Sequence, residues 1–122
     1  MSKTVLLIED EPNIKEALNF LLTRDGWTVL MHSNGHDANQ VIDDKKPDLV
    51  ILDVMLPGKS GFDILRDLRM TYSHTDLPVL MLTARGQTKD REMAKELGAN
   101  KFMIKPFSNT EVREAVRELV GQ

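Results

Sequence analysis

Five short apolar runs punctuate the chain: Val5 to Ile8, Thr28 to Met31, Leu49 to Leu52, Leu77 to Leu82 and Phe102 to Ile104. None alternates cleanly between apolar and polar positions, so neither side of these segments is marked for water. The pattern predicts strands covered on both faces, as in a parallel sheet sandwiched between helices. Helical spacing fills the intervals. Ile14, Ala17, Leu18, Leu21 and Leu22 make one apolar face, with Pro12 in the first turn and Gly26 as the stop. Val112, Ala115, Val116, Leu119 and Val120 share another, and Ser108 with Glu111 has the spacing of a capping box. Shorter faces are Ala38, Val41 and Ile42; Phe62, Leu65 and Leu68; and Met93, Ala94 and Leu97 before Gly98, the narrowest. Strand and helix alternating five times predict a right-handed (βα)₅ open sheet, an α/β doubly wound fold.

At 122 residues with 41% hydrophobic content, the chain can bury one sizeable core, and one domain over residues 1–122 is expected. No linker or low-complexity tract interrupts it. The net charge of -3 leaves no basic field to hold nucleic acid or an anionic membrane surface. Absence of cysteine excludes a disulfide framework and a thiolate metal site, and is compatible with a reducing compartment. The apolar stretch before Glu9 is too short for a signal peptide or a membrane span, so a soluble cytoplasmic protein is expected.

In doubly wound sheets, ligands gather outside the carboxyl ends of the strands, at the switch in strand order. The first, third, fourth and fifth predicted strands end in polar residues there: Glu9-Asp10-Glu11, Asp53, Thr83 before Ala84, and Lys105 before Pro106. Singly, Asp10 could cap a helix, Asp53 could start a turn and Lys105 could be solvated. Together, three carboxylates at one sheet edge would raise one another's pKa unless a cation offset their charge. An incomplete cage of Glu9, Asp10 and Asp53 suits Mg²⁺, which takes few carboxylates and completes its shell with water and phosphate oxygens. A carboxylate can also serve as a nucleophile toward phosphorus, and Lys105 and the Thr83 hydroxyl could neutralise the equatorial oxygens.

The sequence E-D at the first strand end, L-D-V-M-L-P-G after the third, L-T-A after the fourth and K-P-F after the fifth resembles response-regulator receiver domains of two-component systems, over the whole chain. The resemblance implies a 2-1-3-4-5 strand order, with Asp53 as phosphoacceptor. It further implies Asp10 as a direct Mg²⁺ ligand, Glu9 as a ligand through water, and the Met55 backbone carbonyl completing the set. Thr83, Ala84 and Lys105 would contact the phosphoryl group, and Lys105-Pro106 would be a cis peptide. Phe102 would be the switch aromatic, lacking the hydroxyl that a Tyr would bring. The implied partners are a sensor histidine kinase or phosphotransfer protein and a downstream effector protein or domain. A phosphorylation-dependent homodimer is a further possibility that the resemblance leaves open. The output surface would be the fourth helix, fifth strand and fifth helix, roughly Gln87 to Leu97 and Lys101 to Leu119. Their charges, from Lys89, Asp90, Arg91 and Glu92 to Glu111, Arg113, Glu114 and Arg117, could pair across a symmetric dimer or with a partner. Met55 and Arg85 stand at the variable positions flanking the site; Met55 has no polar side-chain atom to orient a hydrolytic water, so slow loss of the phosphoryl group is expected. No effector follows residue 122 here, which leaves a stand-alone and an excised receiver both open.

His32, His36 and His74 are dispersed and lack metal-site spacing, the methionines read as core filler, and Lys45-Lys46 and Arg66-Asp67-Arg69 read as solvated faces. The rival enzyme, a Mg²⁺-dependent phosphatase or hydrolase with an aspartyl nucleophile, would carry D-x-D after the first strand, which Glu9-Asp10-Glu11 lacks. No phosphate-binding glycine motif supports a nucleotide or flavin binder. A degenerate receiver that makes only protein contacts is disfavoured by the intact Asp10, Asp53, Thr83 and Lys105.

Overall fold

Each apolar run becomes a strand in the computed structural model, which describes residues 3–71, 74–84 and 88–120. The strands are β1 (Thr4–Ile8), β2 (Thr28–His32), β3 (Leu49–Asp53), β4 (Val79–Thr83) and β5 (Lys101–Ile104). Helices α1 (Pro12–Arg24), α2 (Ala38–Lys45), α3 (Gly61–Met70), α4 (Thr88–Leu97) and α5 (Asn109–Leu119) follow them in turn. Leu77 and Pro78 stay outside β4. Pro78 has no N–H to give a ladder, although its carbonyl accepts from the Val50 N–H at 3.0 Å.

All pairings are parallel, in the order β2-β1-β3-β4-β5. After β1 the chain crosses to β2 at one edge, then returns to β3 on the other side of β1. That reversal opens a crevice above the carboxyl ends of β1 and β3. The interior strands are buried on both faces, which is why their sequences do not alternate. Val5, Leu7, Ile51, Leu80 and Leu82 pack under Leu18 and Leu22 of α1 and Val112 and Val116 of α5. Leu6, Ile8, Val50, Leu52 and Met81 pack under Ile42 of α2, Ile64, Leu65 and Leu68 of α3, and Ala94 of α4. Burial of each such Leu or Ile side chain contributes roughly 1.5–3 kcal/mol, so the two cores anchor the strand ends firmly.

The helices start where local chemistry directs. Glu11 accepts from the Asn13 N–H at 2.9 Å just before Pro12 opens α1. Ser60 accepts from Asp63 N–H to start α3. In α5 the capping box is formed from both sides, with Glu111 N–H to Ser108 Oγ at 3.1 Å and Ser108 N–H to Glu111 Oε1 at 2.9 Å.

Several expectations are corrected. Ala17 and Met93 point outward rather than into the core, and α4 buries Ala94 together with a carboxylate, Asp90, only 8% exposed. Met81 and Met103 are buried, but Met31, Met55, Met70 and Met93 are exposed, because they fall on an edge strand, a loop, a helix end and the outer side of α4. Arg69 is not a solvated charge. It donates to the carbonyls of His74, Leu77 and Gly98 and to Asn100 Oδ1, tying the end of α3 to the end of α4. His32 and His74 each face a carboxylate, Asp37 and Asp43, at 2.7 Å.

Candidate functional site

The strand ladders run past their last residues and carry the polar groups into the crevice. Glu9 N–H donates to the His32 carbonyl at 3.0 Å, Val54 N–H to Leu82 at 2.9 Å, and Lys105 N–H to Thr83 at 2.7 Å. Glu9 and Asp53 are consequently held by backbone on rigid strand ends and are fully or almost fully buried, while Asp10 is exposed. Gly61, which opens α3, makes this possible. Its N–H donates to the Val54 carbonyl at 2.9 Å, and a Cβ there would lie 2.2 Å from the Asp53 carbonyl oxygen. Any side chain would push α3 off the end of β3.

Glu9, Asp10 and Asp53 each offer a carboxylate oxygen, all within 4.8 Å of one another. The Lys105 ammonium sits 2.8 Å from Glu9 Oε1 and 3.4 Å from Asp53 Oδ1. The Lys105-Pro106 peptide is cis. Neither Glu9 Oε1 nor Asp53 Oδ1 accepts an aligned hydrogen bond among the described residues, so both buried oxygens meet Lys105 only as a charge. With every group ionised, three carboxylates and one ammonium leave two negative charges in the crevice. Buried oxygens without hydrogen bonds, beside an uncompensated double charge, fit a divalent cation.

The same setting shifts the titrations. Burial, then the neighbouring Glu9 carboxylate, pushes Asp53 up to about 6, against the pull of Lys105 and of the Met55 N–H. For Lys105, burial works against the ammonium, but contact with Glu9 and the charges of Asp53 and Glu9 outweigh it and raise its pKa. Lys105 therefore stays charged at neutral pH, and Asp53 is mostly ionised there.

Of the other residues singled out from sequence, Thr83 is buried at the end of β4, the neighbour of β3, and Ala84 is exposed just beyond it. The Met55 backbone lies against the Asp53 carboxylate while its side chain is exposed. Phe102 is not in the crevice. It pairs with Met81, two residues below Thr83 on the ladder, and its ring lies under the Arg91 guanidinium at 5.2 Å. Arg85 and Gln87 lie outside the described residues.

A sequence model described as the response regulator receiver domain matches residues 5–117. The chain belongs to that family. A putative response regulator from Chloroflexus aurantiacus is similar over 100% of both chains, with 32% identity and a TM-score of 0.95. The BeF3-activated N-terminal receiver domain of Klebsiella pneumoniae RstA is 29% identical over 98% of this chain and 99% of its own, with a TM-score of 0.90. The receiver domain of a Pseudomonas aeruginosa sensor histidine kinase, solved with magnesium coordinated in the active-site cleft, is 25% identical over 100% of both chains, with a TM-score of 0.91. The receiver family is a signalling family rather than one of turnover enzymes. No described helix of this receiver is long and apolar enough to cross a membrane.

On the face made by α4, β5 and α5, two of the expected pairing charges are already engaged. Asp90 is buried, and Arg113 donates to Asp25 at 3.2 Å, toward α1. Lys101 on β5 meets Glu118 of α5 at 2.5 Å. Arg91, Glu92, Glu111 and Glu114 remain exposed.

Proposed function

We propose that this receiver, read as one unit over residues 1–122, takes a phosphoryl group on Asp53 from a phosphohistidine of a sensor histidine kinase or phosphotransfer protein. The observation that carries the reading is the buried Asp53 carboxylate, held at a strand end among two further carboxylates and Lys105. Glu9, Asp10, Asp53 and the Met55 carbonyl would hold Mg²⁺, which supplies charge neutralisation for the incoming phosphoryl oxygens. An Asp53 oxygen attacks phosphorus, the new O–P bond forming as the P–N bond breaks, and its electron pair returns to the donor imidazole. Lys105 leaves Glu9 for a phosphoryl oxygen, the Thr83 hydroxyl and Ala84 N–H take others, and Phe102 follows Thr83 inward.

The output is a change in the surface of α4, β5 and α5 that controls a partner protein or effector in the cytoplasm, or a homodimer, without direct contact to nucleic acid or membrane. The two relatives solved with magnesium and with beryllofluoride, a phosphoryl mimic, support carrying both to this site. Amide shifts on adding beryllofluoride with Mg²⁺ test it. Shifts from Asp53 through Thr83 to α4, β5 and α5 are expected, and shifts confined to the crevice or spreading to α1 and α2 would refute the output surface.

A further inference from the structure

The segment between β2 and α2 contributes no catalytic group, yet it touches both walls of the crevice. At its start the His32 carbonyl accepts from Glu9 N–H at 3.0 Å. Three residues on, the Gly35 N–H donates to the Pro57 carbonyl at 2.8 Å, in the middle of the loop joining β3 to α3. Gly35 is buried, and a Cβ built on it would stand 2.0 Å from the Lys59 carbonyl oxygen and 3.1 Å from Ile64 Cδ1. The contact continues beside it: a Cβ on Gly58 would lie 3.2 Å from His36. Asn34 Oδ1 accepts from His36 N–H at 2.9 Å, shaping the turn that aims Gly35 at Pro57. Lys59 then reaches back to Asn39 Oδ1 at 2.9 Å and to Asp67 Oδ2 at 2.5 Å.

The loop from Val54 to Lys59 is thus pinned at Val54 by Leu82 and Gly61, at Pro57 by Gly35, and at Lys59 by α2 and α3. Met55, whose N–H bears on the Asp53 carboxylate, lies between the first two pins. We propose that Gly35 is a positioning residue: its N–H and its missing side chain let the β2–α2 segment lie flat on the loop after β3 and set the Met55 backbone beside the acidic cluster. The inference rests on the Mg²⁺ reading for its consequence but not for its geometry. A side chain at residue 35 would have to displace backbone at Lys59, which cannot move without dragging the loop. Misplacing a group that orients a metal ligand typically costs 10–100-fold in metal affinity.

The test compares Gly35→Ala with Gly26→Ala. Gly26 has a positive φ, +96°, which Gly35 does not share, but nothing lies within 4 Å of its Cβ position and it is at the opposite end of β2. Both variants should lower Tm. Only Gly35→Ala should weaken Mg²⁺ binding, measured by calorimetry, by at least about tenfold, with phosphorylation by acetyl phosphate recovering at saturating Mg²⁺. In metal-free protein, Gly35→Ala should shift the Met55 and Asp53 amide resonances and Gly26→Ala should not. If Gly35→Ala does not fold, Asn34→Ala loosens the same turn without a clash, and a smaller loss of Mg²⁺ affinity at nearly unchanged Tm is expected. Mg²⁺ affinity within twofold of wild type in Gly35→Ala, or in its stand-in, would overturn the proposal. Wild-type protein that binds no Mg²⁺ would instead overturn the metal reading, and the positioning role would stand or fall on the Met55 and Asp53 amide shifts.

Discussion

Lys105 lies closer to Glu9, at 2.8 Å, than to the carboxylate of Asp53, at 3.4 Å. The lysine is therefore a counter-ion to both carboxylates, and a cation binding there would compete with its charge. Lys105→Met should remove the attraction and leave the carboxylates uncompensated. The variant is expected to lose roughly 1–3 kcal/mol at pH 7.5 in chelator and to bind Mg²⁺ more tightly than wild type. Urea unfolding and a Mg²⁺ titration read the two effects; unchanged stability with weaker Mg²⁺ binding would show that the charge balance is misread.

The raised pKa of Asp53 has a definite sign in stability. The unfolded chain gives up this proton near pH 4, and the folded one near pH 6. Without metal, stability falls as pH rises through that window and stays lower above it. Asp53→Asn lacks this loss. Relative to wild type it should gain roughly 1–3 kcal/mol between pH 4 and pH 7, with most of the change between pH 4 and 6, in denaturant unfolding with chelator. A difference that does not vary with pH would contradict the buried-carboxylate account.

Arg91 over the Phe102 ring joins α4 to β5 at the position expected to switch. A cation over an aromatic face at a partly exposed site is worth about 0.5–1 kcal/mol. Arg91→Ala should free the ring, so that beryllofluoride with Mg²⁺ binds roughly two- to fivefold more tightly. Equal apparent affinity in NMR titrations of variant and wild type would remove Arg91 from the switch.

Arg69 satisfies three backbone carbonyls and Asn100 at the ends of α3 and α4. Arg69→Met should cost roughly 2–4 kcal/mol and speed amide exchange at Gly98 and Asn100, leaving Mg²⁺ affinity unchanged. A loss below 1 kcal/mol would mean that water replaces those bonds easily.

The sequence made the layered sheet and the strand-end cluster legible because both are encoded locally: unbroken apolar runs end in acidic or basic residues, and Ser108 with Glu111 caps its helix as its spacing implies. What stayed hidden depends on packing between distant segments. Arg69 looked like one charge among several, and only the fold brings Gly98 and Asn100 to it. Ala17 and Met93 fit a helical face in projection, but the neighbouring helices do not cover them. Gly35 and Gly61 carried a readable signal, a glycine at a loop or helix start, but the backbone atoms that exclude a side chain lie in other segments of the chain. The exposed Met55 side chain keeps its sequence expectation: Met55→Asn should accelerate loss of the phosphoryl group from Asp53, and an unchanged decay rate would oppose it.

The central claim, that Asp53 is the phosphoacceptor in a Mg²⁺-dependent reaction, is tested most directly by intact-mass spectrometry after incubation with acetyl phosphate. One phosphoryl group is expected on wild type with Mg²⁺, and none on Asp53→Asn or on wild type in excess chelator. Equal labelling of wild type and Asp53→Asn, or labelling indifferent to the chelator, would contradict it.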